Sequence, residues 1–73
     1  MREVGEVLHT ARSGRIILRL QGELSAGTVL LDEKGRNAAK VVELLGPVSH
    51  PYASAIPASS KFGTKGQRVF VSG

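Results

Sequence analysis

Apolar and polar residues alternate along this chain in short runs, each closed by a glycine or proline, and no segment sustains a 3.6-residue period. Residues 15–20 show the alternation most clearly. Ile16, Leu18 and Leu20 fall on one side of a strand, with Arg15, Ile17 and Arg19 on the other. A strand over residues 4–10 precedes it, joined by a hairpin-like turn at residues 11–14, where Gly14 can take positive φ without steric cost. Residues 28–31 form a third short strand, followed by a charged turn at 32–35 with Gly35 in the left-handed position. Residues 38–45 have helical propensity, but Val41-Val42 at the centre and Gly46-Pro47 at the end favour a strand. Strict alternation there puts Val41 and Leu45 on one face and Val42 and Leu44 on the other, so the strand seeks cover on both sides. A fifth strand over 53–56 ends at Pro57, a loop of small and basic residues spans 58–66 around Phe62, and a sixth strand covers 67–72. In the last strand, Val69 and Val71 oppose Arg68 and Phe70.

Six short strands with glycine-rich turns predict an all-β domain occupying residues 1–73. Of the two small all-β architectures, a closed barrel is preferred to a sandwich. Closure removes the exposed edges that so small a sheet cannot otherwise protect.

The segment Leu45-Gly46-Pro47-Val48-Ser49-His50-Pro51-Tyr52 interrupts this pattern. Proline fixes φ and lacks an amide proton, and it drives the preceding residue toward extended conformations. The expected product is a stiff bend presenting Val48 and Tyr52. A rigid apolar bend loses little freedom on binding, and tyrosine is over-represented among residues that dominate interface energies.

The chain has 73 residues and no cysteine, so disulfides and thiolate metal sites are excluded. The two histidines, His9 and His50, are too few and too far apart in sequence to suggest a metal site, and no cofactor motif is present. No apolar run approaches the ~20 residues of a membrane span, and the N-terminus lacks a signal-peptide core. A soluble, cytoplasmic protein is the expectation. The net charge is +4 and unevenly spread: residues 44–73 carry Lys61, Lys65 and Arg68 with no acid. That bias suits proximity to nucleic acid or an acidic surface.

Catalytic signatures are missing. There is no Gly-x-Ser-x-Gly elbow, no His-Glu-x-x-His, no paired-carboxylate segment and no phosphate-binding loop. The sequence therefore predicts a protein that is not an enzyme. Single-stranded RNA binding by a small barrel stacks bases on aromatic side chains. Tyr52, Phe62 and Phe70 lie in separate segments, so a stacking platform is poorly supported. Arg12, Arg15 and Arg19 are the candidate phosphate contacts of the first hairpin.

The order of features resembles the Gar subunit of H/ACA ribonucleoproteins, the particles that convert uridine to pseudouridine under guide-RNA direction. Four blocks carry the resemblance: Val4-Gly5-Glu6-Val7-Leu8-His9, residues 14–19, Ala26-Gly27-Thr28-Val29 with the Asp32 turn, and Val41-Val42-Glu43-Leu44-Leu45-Gly46-Pro47-Val48 running into Pro51-Tyr52. The resemblance implies a six-stranded antiparallel barrel similar to the second domain of translation elongation factors. It also implies a non-catalytic subunit that binds the pseudouridine synthase of the dyskerin family and influences the loop gripping substrate RNA. Guide and substrate RNA would be met only indirectly. The motif-matched positions for the synthase-facing surface are Leu45, Gly46, Pro47, Val48, Pro51 and Tyr52. Three departures stand out: Leu45 where the family usually has an aromatic residue, Ala39 where it usually has glycine, and no Gly/Arg-rich flanks. The short form looks archaeal; a eukaryotic member would be nucleolar. The rival readings are a stand-alone basic RNA-binding barrel and a domain of a translation factor. The start at Met1 and the missing nucleotide-binding motif speak against the latter.

Overall fold

The computed structural model describes residues 1–22, 24–46, 49, 51–59 and 61–72. Among them six strands and no helix are found: β1 Arg2–Thr10, β2 Ile16–Leu20, β3 Val29–Leu31, β4 Asn37–Leu45, β5 Tyr52–Pro57 and β6 Arg68–Val71. They form a closed barrel in the order β1-β2-β5-β4-β3-β6, with β6 returning to β1. Every pair is antiparallel. The all-β barrel expected from the alternation is the observed fold, and Asn37–Leu45 is a strand rather than a helix.

The interior is filled by alternate residues. Val7, Ile16, Leu18, Leu30, Val41 and Val69 are the largest fully buried side chains. Large residues of β2 lie beside small ones of β5: Ile16 pairs with Ala55 and Leu18 with Ala53, and all four are fully buried. A small barrel needs this alternation of size, because its tapering interior cannot hold a branched side chain at every position. Leu24 and Phe62, from loops, pack against this core. Gly14 and Gly35 hold φ of 90° and 81°, the left-handed values expected of the two turns.

One expectation is corrected. Val41 pairs with Ala55 but Glu43 pairs with Ser54, so Val42 is an extra residue in β4. A bulge of this kind reverses the inside–outside phase of the strand beyond it. Val41 and Leu44 therefore share the inward side, where their partners are the buried Ala55 and Ala53, and Leu45 lies outward beside Tyr52. Strict alternation had joined Val41 to Leu45. A second bulge in β4 makes Ala38 the extra residue opposite β3, next to Ala39. Tyr52, placed in the bend by the sequence, is the first residue of β5.

Because neighbouring strands run in opposite directions, the connections 11–15, 32–36 and 58–67 emerge together at one end of the barrel. Connections 21–28 and 46–51 emerge at the other. β1 threads this ring with two bulges, at Leu8 against β2 and at Val4 against β6. At Gly5 the strands come so close that an added Cβ would run into the backbone oxygen of Arg19, with Leu20 Cδ2 only 3.2 Å away. Gly5→Ala is expected to cost about 1–3 kcal/mol of stability, the usual penalty of overpacking. Urea unfolding would read this as a lower midpoint with an unchanged slope. An unchanged midpoint would mean that β1 and β2 separate there without cost.

Candidate functional site: the outer face of β5 and β4

The alternation that fills the barrel also builds its outer face. Across β2, β5 and β4, one row runs Arg19, Tyr52, Leu45 and the next Ile17, Ser54, Glu43, with Val42 bulged beside Glu43. Ile56 lies next to Lys40, and Lys40 next to Val29. Ser54 is only 4% exposed, so a small residue forms the floor between flanking apolar groups. Leu45 is 37% exposed, Leu44 46%, Ile56 51% and Val29 46%. Tyr52, Val42 and Ile17 are half-buried. A single exposed leucine would carry no information, but Leu45 and Tyr52 are adjacent on the outer face and mark a contact surface, while Ile56 and Val29 lie apart on either side of Lys40.

Of the six positions matched to the bend motif, Leu45 and Tyr52 are brought side by side as a register pair. Gly46 turns the chain out of β4 with φ of 79°. Pro51 is half-buried, and its carbonyl accepts a hydrogen bond of 3.0 Å from the Leu20 amide, tying the end of the bend to β2. Pro47 and Val48, like His50, lie outside the described residues. Leu44, Val42, Ile56 and Val29 were not singled out from the sequence as surface positions. The adjacent apolar pairs Val41-Val42 and Leu44-Leu45 were the available signal, since one member of each must leave the core unless the strand bulges.

Arg12 and Arg15 sit at the β1–β2 turn, whereas Arg19 lies four residues along β2 and is ion-paired with Glu6 of β1. That partner's hydrogen bond and charge hold the Glu6 carboxyl below its ordinary range and raise Arg19. Arg68 forms a second surface ion pair with Glu3 at 2.7 Å. Asp32 is also lowered, first by the backbone amide of Arg36; desolvation opposes this, and the Lys34 amide and the Arg36 side chain add to the lowering. Among the described residues, no three His, Asp or Glu side chains gather where they could hold a metal ion. Among the described residues no helix is long and apolar enough to cross a membrane.

No family model matches the chain. Over 61 residues it is 33% identical to an uncharacterized protein of Methanocaldococcus jannaschii, a match covering 84% of this chain and 74% of that one. The chain belongs to the family of that archaeal protein. A second uncharacterized relative, from Methanothermobacter thermautotrophicus, is 32% identical over 57 residues, which cover 78% of this chain and 62% of the relative. In both relatives the match takes in most of this chain.

Carboxylates with folded-state pKa values below their unfolded ones stabilise a protein above the unfolded pKa, and that contribution is lost as pH falls through the folded value. Glu6 and Asp32 are both of this kind. The thermal midpoint is therefore expected to fall between about pH 6 and about pH 3. The Glu6→Gln, Asp32→Asn double variant should fall less steeply over the same range. Differential scanning calorimetry across that range checks it; equal slopes for the two proteins would contradict the assignment.

Proposed function

We propose that this chain is a non-catalytic subunit that docks on a pseudouridine synthase of the H/ACA type and modulates its turnover on guide-selected RNA. Two lines support the reading. One is the order of sequence blocks shared with the Gar subunit, running from Val4 to Tyr52. The other, which carries it, is an apolar outer face around the Leu45–Tyr52 pair in a barrel whose own core is filled without it. The described motif positions Leu45, Gly46, Pro51 and Tyr52 and the exposed Leu44 lie at the same end of β4 and β5. The two relatives are archaeal, in keeping with the archaeal reading of the resemblance.

The mechanism follows from linkage. A subunit bound beside the substrate-gripping loop changes turnover only by favouring one arrangement of that loop over another. Docking that is equally strong in both arrangements would leave the rate untouched. In this account the face supplies the affinity, and the differential contact supplies the effect on loading and release.

Pull-down and calorimetric titration with a purified H/ACA synthase test the docking. Binding at micromolar concentration is expected, and Tyr52→Ala should weaken it by about 2 kcal/mol, roughly thirtyfold in Kd. No association at that concentration would overturn the proposal. Multiple-turnover pseudouridylation with and without the chain tests the second part: faster turnover supports it, and unchanged turnover in a complex that does form removes it.

A further inference from the structure

The +4 net charge of the chain is concentrated at one end of the barrel. The connections 11–15, 32–36 and 58–67 share that end and hold six of the ten basic side chains, Arg12, Arg15, Lys34, Arg36, Lys61 and Lys65. Only two of the six acids, Asp32 and Glu33, lie among them, so this excess equals the charge of the whole chain. Connections 21–28 and 46–51, at the opposite end, contain no lysine or arginine. Asp32 is already engaged internally: its Oδ1 accepts from the Lys34 and Arg36 amides at 2.9 Å each, and its Oδ2 accepts from Arg36 Nε at 3.1 Å.

The end is also shaped. A groove runs between the β3–β4 turn and the loop before β6, lined by Asp32, Arg36, Asn37, Lys61, Phe62 and Gln67. It continues past Glu33, Lys34 and Arg68. Its walls are held by hydrogen bonds within the fold. Gln67 Oε1 accepts from the amides of Gly63 and Thr64 at 2.8 and 2.7 Å, and Thr10 Oγ1 donates to the Gly63 carbonyl at 3.0 Å. The Ala11 amide donates to the Arg15 carbonyl at 2.7 Å, closing the third connection. Cations carried on fixed turns bind a polyanion with less loss of freedom than cations on loose tails.

We infer that this end binds the phosphodiester backbone of a single-stranded nucleic acid. A strand laid in the groove meets Lys34 and Lys61 together with Arg36 and Arg68, which are paired with Asp32 and Glu3, and Phe62 is the aromatic group that lines its path. Grooves that combine tracking positive charge with an aromatic side chain are the usual means of holding unpaired strands. The inference does not depend on synthase docking, because the groove lies at the other end of β4 from Leu45 and Tyr52.

Fluorescence anisotropy of the isolated chain with labelled twelve-nucleotide oligouridylate and oligothymidylate tests it. Neutralisation of about four phosphates would weaken binding roughly fiftyfold between 50 and 200 mM salt. The triple variant Lys34→Gln, Lys61→Gln, Lys65→Gln should lose at least roughly tenfold in affinity and show a flatter salt dependence. Arg2→Gln, outside the three connections, should stay close to the parent. Circular dichroism checks folding, and Arg12→Gln with Arg15→Gln offers an independent variant on a different turn. Tighter uridylate binding assigns the strand as RNA; equal binding assigns the phosphodiester backbone common to both. An unaltered affinity in both charge variants, equal binding of polyglutamate, or binding to anionic vesicles without binding to either oligonucleotide would overturn the inference.

Discussion

Antiparallel pairing all the way round a closed ring is the constraint from which the two surfaces of this barrel follow. Each strand reverses its neighbour, so odd-to-even connections must leave at one end and even-to-odd connections at the other. The chain uses that division. Its basic turns occupy the first end, and its proline-containing bend occupies the second. Closure also frees the outer sheet face from protecting an edge, so apolar groups there can serve contact instead of folding. The ring is thinnest between β3 and β6, joined through the single register pair Leu31–Phe70.

The bulge at Val42 adds a local device to this global one. Without an extra residue, Leu45 would follow Val41 to the inner side and Leu44 would turn outward. With it, Leu45 lies beside Tyr52 on the outer face, and Leu44 sits at the mouth of the barrel on the side of Ala53. Both remain well exposed. A strand that runs from the buried Ala38, Ala39 and Val41 to the exposed Leu44 and Leu45 thus joins core and contact surface in nine residues.

Much of the fold was legible because β2 and β6 obey a simple period. Ile16, Leu18 and Leu20 were assigned to one face from alternation and are buried together. The phase of β4 was not legible. Val41-Val42-Glu43-Leu44-Leu45 offers apolar residues at both parities, and only pairing with Ser54 decides which of them is extra. The charge pattern was half legible for a related reason. Lys61 and Lys65 stand out in an acid-free stretch, but Lys34 and Arg36 are masked in sequence by Asp32 and Glu33, and topology alone brings them to the same end of the barrel as Arg12 and Arg15. Arg19 shows the converse: it is close to Arg15 in sequence, yet its charge is spent on Glu6 across the strand pair.

The central claim is that one barrel carries an apolar contact face around Leu45 and Tyr52 and keeps its basic end clear of that contact. Amide chemical-shift mapping of the isotope-labelled chain, titrated with an unlabelled H/ACA synthase, tests it most directly. The account predicts shifts confined to Leu44, Leu45, Tyr52, Ile56 and their register neighbours, with residues 11–15 and 32–36 unmoved. Shifts concentrated on those basic turns, with the face of β4 and β5 unchanged, would contradict it.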